Sequence, residues 1–182
     1  MRKHATILGV CLVLSLAAAA PVHAAMGPRW GAIGHGRDLG IGGYVGTAAG
    51  FSLKWFAGAG LALNIYAGWD HYWLPRYPTL RGEIDLIFHW SIAHGGHAWE
   101  MLIGPGIGGG AGWWRRPGFD TFCDSWADRT HCWGPFARGL FHWSMLFNRG
   151  PFDIFVEPSI WSALWPGVRF DWDLFVGAHY YF

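Results

Sequence analysis

The sequence predicts an all-β protein, an eight-stranded antiparallel up-and-down transmembrane β-barrel with short turns at one end, and three observations lead there. The first is the alternation that closes the chain. In "DWDLFVGAHYYF", Trp172, Leu174, Val176, Ala178, Tyr180 and Phe182 fall on one face of an extended strand, and Asp171, Asp173, Phe175, Gly177, His179 and Tyr181 fall on the other. The second is composition. Fourteen Trp, 13 Phe and 28 Gly occur in 182 residues with few Lys and Glu, and no internal stretch is long and apolar enough for a membrane helix. High apolar content spread in alternation is the signature of a barrel whose outer face meets lipid. The third is the front of the chain, where Arg2 and Lys3 precede an apolar run from Ile7 to Ala20 and the small residues of "PVHA". That is the pattern of an export signal.

The signal is expected to cover residues 1–24, with the mature chain starting at Ala25. The apolar run falls short of the roughly 20 residues a spanning helix needs, which argues against a retained anchor. Cys11 lies inside that run, too early for a lipid-modified first residue. Residues 25–36 read as an N-terminal segment and 37–182 as one barrel domain. Loss of Arg2 and Lys3 leaves 11 basic against 12 acidic residues, so no basic patch points to nucleic acid. Two cysteines remain, Cys123 and Cys132; in an oxidising compartment they are expected to pair, the alternative being two free thiols.

Eight strands follow in order, the first over 37–47, with Leu39, Ile41 and Val45 outward and glycines inward; Thr47–Gly50 then turns. The second, Phe51–Ala57, sets Phe51, Leu53 and Trp55 out and Ser52 and Lys54 in. After Gly58–Gly60 the third, Leu61–Asp70, turns Leu61, Leu63, Ile65, Ala67 and Trp69 out and Asn64, Tyr66 and Asp70 in. His71–Pro78 is a loop, because two prolines do not fit a central ladder. The fourth, Thr79–Ile92, faces Leu80, Ile84, Leu86, Phe88, Trp90 and Ile92 out and Arg81, Glu83, Asp85, His89 and Ser91 in. Ala93–Ala98 turns into the fifth, Trp99–Gly110, with Glu100 inward. Trp113–Trp133 reads as the longest irregular stretch. The sixth, Phe136–Phe147, directs Arg138, His142 and Ser144 in. Asn148–Pro151 turns into the seventh, Phe152–Ala163, with Asp153, Glu157 and Ser159 in and a bulge expected at Pro158. Trp165–Gly167 leads to the eighth, Val168–Phe182.

Short turns after even-numbered strands and longer loops on the opposite side match the asymmetry of an outer-membrane barrel, with the short turns periplasmic. Trp55, Trp69, Trp90, Trp99, Trp143 and Trp172 would supply interfacial aromatic belts; the alternative is an ordinary buried core. Lipid requires every backbone polar group to be paired within the chain, so the sheet must close, and eight strands enclose a lumen that side chains fill. Lys54, Arg81, Glu83, Asp85, His89, Arg138, His142, Glu157, Arg169, Asp171 and Asp173 would then form a paired polar network that plugs it.

The terminal alternation, with Phe182 last and Tyr180 and Ala178 on the same face, resembles the sorting signal read by the barrel assembly machinery of outer membranes. "GTAAGFSLKWF", "ALNIYAGW", "DIFVEPSIW" and "PGVRFDWDLFVGAHYYF" are similar to a family of small, functionally uncharacterised outer-membrane barrels in the OmpA-like and OmpX-like size class, over Leu39–Phe182. The resemblance implies eight strands, no established reaction and an outer-membrane location.

The leading functional expectation is a non-enzymatic integral envelope protein in contact with outer-membrane lipids and lipopolysaccharide. An extracellular ligand would meet Arg115, Arg116, Asp120, Asp124, Asp128 and Arg129 of the largest outer loop, charges that otherwise simply solvate it. Three alternatives remain. His142, Ser144 and the distant Glu157 resemble the His-x-Ser and Glu of lipid A deacylases, where Ser attacks an ester, His takes its proton and Glu orients His; the strand register, however, points them into the lumen. The others are a narrow channel and a soluble lipocalin-like barrel. No cofactor or metal is expected: His71, His94, His97 and His131 sit in turns or loops, and "GIGGG" at Gly106–Gly110 precedes no helix and reads as relief of crowding in a narrow barrel.

Overall fold

A computed structural model describes residues 25–182 except 30, 32, 59, 71–79, 116–130 and 165–167. Its strands are β1 (Ala25–Met26), β2 (Leu39–Gly46), β3 (Ala48–Phe56), β4 (Leu61–Asp70), β5 (Leu80–Phe88), β6 (Trp90–His94), β7 (Trp99–Arg115), β8 (His131–Phe147), β9 (Phe152–Ala163) and β10 (Arg169–Tyr181). From β2 onward consecutive staves pair antiparallel, β5 and β6 acting as one stave, and β10 returns to β2 through Val176↔Val45 and Tyr180↔Ile41. The sheet is therefore a closed eight-stave up-and-down barrel with no free long edge.

The period-two alternation sets which side chains line the centre. On β10, Asp173, Phe175, His179 and Tyr181 are buried while Trp172, Leu174, Val176, Ala178, Tyr180 and Phe182 are exposed. On β5, Arg81, Glu83 and Asp85 are buried, whereas Leu80, Ile84 and Phe88 are exposed and Leu86 half-exposed. Charges inside and large apolar side chains outside invert the order of a water-soluble domain. Phe51 at 70% exposure, Ile107 at 67% and Val176 at 41% belong to a continuous apolar outer wall, far beyond the scattered apolar patches of soluble proteins. The buried rings Tyr44, Tyr66, Phe155 and Phe175 pack across the lumen, with Tyr44 and Tyr66 edge to face at 5.1 Å.

Several boundaries differ from expectation. The stretch Trp113–Trp133 is not irregular throughout. β7 runs on to Arg115 and β8 begins at His131, because Trp113 and Trp133 face each other across the ladder with rings stacked at 6.2 Å. Pro158 makes no bulge: β9 keeps one register along β10, and the pairing with β8 skips Glu157 and Pro158 without shifting. The residue that lacks an N–H costs rungs, not alignment. The first turn is tighter than Thr47–Gly50. Only Thr47 lies between β2 and β3, although Tyr44↔Gly50 is the last pair joining them. Gly46 and Ala48 bond outward instead, to β10 and β4. The fourth strand continues to His94 but breaks at His89, whose N–H donates to Gly60 O at 2.6 Å and whose carbonyl accepts from Gly27 at 2.7 Å.

The N-terminal segment is also structured. β1 pairs with β6 through Ala25↔Ser91 and Met26↔Trp90. The chain then folds beneath the short-turn end, and Ile33, fully buried, enters a cluster with Phe56, Ala62, Leu102, Leu146 and Tyr181. The Arg29 N–H donates to both carboxylate oxygens of buried Glu100, at 2.8 and 3.0 Å. Positive φ at Gly27, Gly31, Gly34 and Gly36 lets so short a segment double back. Replacing Ile33 with Ala is expected to weaken docking of this plug by about 2 to 5 kcal/mol. The check is tryptic cleavage at exposed Arg37, which should accelerate markedly; an unchanged rate contradicts the assignment.

Candidate functional site: the charged lumen

The lumen owes its contents to what β7 leaves out. Its inward positions 104, 106, 108, 110 and 112 are all glycine. A Cβ at Gly106 would stand 2.8 Å from Leu140 Cδ1, one at Gly108 would strike the Asp85 carboxylate, and one at Gly110 would lie 2.9 Å from Glu83 Cβ. The side chains of β5 and β8 therefore lie against a bare wall.

Into that space the neighbouring strands direct a continuous chain of polar contacts. At the long-loop end Thr47 Oγ1 donates to Asp173 at 2.9 Å, and Asp173 pairs with Arg81 at 2.8 Å. Arg81 reaches Glu83 at 2.6 Å, and Glu83 accepts from Arg138 at 3.0 Å. Arg138 also pairs with Asp85 at 3.2 Å and with Glu157, and its guanidinium lies 5.2 Å from the Phe175 ring centroid. Glu157 takes further bonds from Tyr66 Oη at 3.0 Å and from His142 Nδ1 at 2.8 Å. His142 Nε2 stands 3.0 Å from Lys54 Nζ, which pairs with Asp153 at 3.3 Å. Asp153 closes the chain, accepting from the His179 N–H at 3.0 Å, His179 Nδ1 at 2.8 Å and Tyr181 Oη at 2.9 Å. All these charged side chains are buried. Three cations, Lys54, Arg81 and Arg138, thus face five carboxylates, which is how charge can be kept away from water.

The structure brings Lys54, Arg81, Glu83, Asp85, Arg138, His142, Glu157 and Asp173 together in this network. His89 is buried beside it, its ring edge-on to His142 at 5.1 Å. Asp171 is only half-buried at the lumen mouth, where it accepts from the Trp172 N–H at 2.9 Å. The backbone of Arg169 pairs with Ala163, and its side chain lies outside the described residues, as do Cys123 and the side chain of Cys132. Asp153, His179, Tyr66 and Tyr181 are additional members of the network. Each already stood at an inward-facing parity, so alternation was the signal that could have found them.

His142, Ser144 and Glu157 share the inward face, but not as a nucleophilic triad. His142 Nε2 meets Lys54, and Ser144 Oγ has no hydrogen-bond partner. Ala178, Tyr180 and Phe182 point outward, with the rings of Tyr180 and Phe182 at 5.6 Å and the Phe182 N–H bonded to Leu39 O.

No known protein-family model matches the sequence, and no curated protein matches it. Among solved structures, the chain is similar to the N-terminal β-barrel domain of Pseudomonas aeruginosa OprF, at a TM-score of 0.52 and 12% identity, over 80% of this chain and 98% of that one. At that identity the likeness carries the fold alone.

Proposed function

We propose that this protein is an integral outer-membrane β-barrel with a plugged lumen, serving the envelope as a structural or surface-interacting element. One observation carries the reading: the apolar side of every stave faces outward while a paired charge network fills the centre. In water such an outer wall would cost roughly 25 cal/mol per Å² of apolar surface, whereas in hydrocarbon that cost vanishes. Trp69 and Trp172 at the long-loop end, and Trp55, Trp90 and Trp99 toward the short-turn end, supply aromatic belts at two levels. The fold shared with the OprF barrel domain supports the same reading.

The outward strip Ala178, Tyr180 and Phe182 serves as the assembly signal, and residues 116–130 form the surface loop that meets lipopolysaccharide or an extracellular ligand, stapled by a Cys123–Cys132 disulfide. A filled lumen speaks for a closed barrel over a channel, and a His142 Nε2 that meets Lys54 while Ser144 Oγ has no hydrogen-bond partner speaks against an esterase.

The test is fractionation with heat-modifiable gel migration. The protein should resist carbonate extraction, migrate faster unheated than boiled, and give silent planar bilayers. Carbonate release would overturn the membrane reading, and steady conductance would overturn the plugged lumen.

A further inference from the structure

One corner of the lumen is arranged for covalent chemistry that structural charge pairing does not require. Lys54 Nζ lies 3.3 Å from Asp153 Oδ2 and 3.0 Å from His142 Nε2. His142 is oriented by Glu157 at Nδ1, at 2.8 Å, and Glu157 is itself held by Tyr66. With its Nδ1–H donated to Glu157, His142 presents the Nε2 lone pair to the lysine. The two imidazoles are fixed on opposite partners of one ring: Phe155 stacks on His142 at 5.3 Å and on His179 at 4.8 Å. His179 directs two donors at Asp153 Oδ1, its main-chain N–H and its Nδ1. Tyr181 Oη donates to Oδ2, and the Phe56 ring lies 5.0 Å from the lysine nitrogen. An amine, a base with its orienting carboxylate, a carboxyl group and two donors on one of its oxygens thus meet in one buried site, whose Phe56 and Tyr181 also belong to the Ile33 cluster.

We propose that Lys54 and Asp153 become joined by an isopeptide bond that the folded barrel forms by itself, with His142 as general base and the His179 donors holding the oxyanion. The ammonium first passes a proton to Asp153 Oδ2, leaving an amine and a carboxylic acid. The amine nitrogen attacks Asp153 Cγ, and a second proton moves from nitrogen to His142 Nε2. Negative charge collects on Oδ1, against the two His179 donors. When the carbonyl re-forms, the Cγ–Oδ2 bond breaks, and the departing hydroxyl takes the proton back from His142 and leaves as water. One N–C bond forms, one C–O bond breaks, one water is released and nothing is oxidised or reduced. Glu157 acts through His142 and is a positioning residue. The product ties β3 to β9 across the lumen, between residues 99 positions apart.

The experiment compares one preparation before and after folding. Protein held unfolded in urea is refolded into detergent micelles, folding is verified by heat-modifiable migration, and intact mass is recorded after full reduction. The folded protein should lose the mass of one water, and its digest should contain a branched peptide joining the segments around Lys54 and Asp153. Lys54→Met should abolish the loss. His142→Gln should slow it about a hundredfold while leaving the folded migration in place. Folded wild-type protein that keeps its full mass through prolonged incubation overturns the proposal. Membrane insertion does not depend on the bond, so carbonate resistance with an unchanged mass would sink this inference alone.

Discussion

Arg138→Met should lower the stability of the folded barrel by about 3 to 5 kcal/mol, the penalty of leaving buried charge without its partner. The guanidinium touches Glu83, Asp85 and Glu157 at once. Without it, three buried carboxylates, two from β5 and one from β9, face one another with their shared cation gone. Methionine fills the volume, so the loss reports charge more than cavity. The check is the urea midpoint of the heat-modifiable form in micelles. Arg138→Lys should recover part of the loss, because a compact ammonium replaces the charge but not the fork that reaches several oxygens. Adding Glu83→Gln and Asp85→Asn to Arg138→Met should restore much of the rest, since the repulsion goes with the charges. If Arg138→Met unfolds at the parent's urea concentration, the network is not what holds the lumen shut.

Gly108→Val should prevent the barrel from closing correctly, whereas Gly139→Val should be tolerated within about 0.5 kcal/mol. Both residues lie in long strands of the same hairpin. At Gly108, a Cβ runs into the Asp85 carboxylate and comes within 2.8 Å of Asp85 Cα, so rotating a side chain cannot relieve the clash. The strand would have to move, against a packed interior that resists added volume. At Gly139 the corresponding atom meets nothing within 4 Å. Valine there adds a β-branched side chain to the outer wall, where it suits both strand and lipid. Yields of folded, fast-migrating protein distinguish the two. Equal yields would mean that the inner glycine wall is incidental.

Alternation alone made the staves legible. Each long strand has one apolar side and one side of polar residues or glycines, and a one-residue slip would exchange them, so parity identified the inward residues from Lys54 to Asp173. What alternation could not reveal was pairing. Nothing in the spacing places Arg138 beside Glu83, or Lys54 beside Asp153, because partners across a lumen are set by tilt and stagger and not by neighbourhood in the chain. The N-terminal plug was hidden for another reason. "GPRWGAIGHGRD" has neither period, so it reads only as an N-terminal segment, and its two large apolar residues, Trp30 and Ile33, predict no partner. The length of the β7–β8 hairpin was obscured by the turn-forming residues around it, until the stacked tryptophans showed that the ladder continues.

The seat of Ile33 has a consequence for the order of events in folding. Its five neighbours come from β3, β4, β7, β8 and β10, so no partial sheet can offer that niche. The N-terminal segment must wait until the last stave of the barrel has joined its first. A stretch that leads in sequence therefore finishes in time, and its arrival marks completion as a latch marks a closed door.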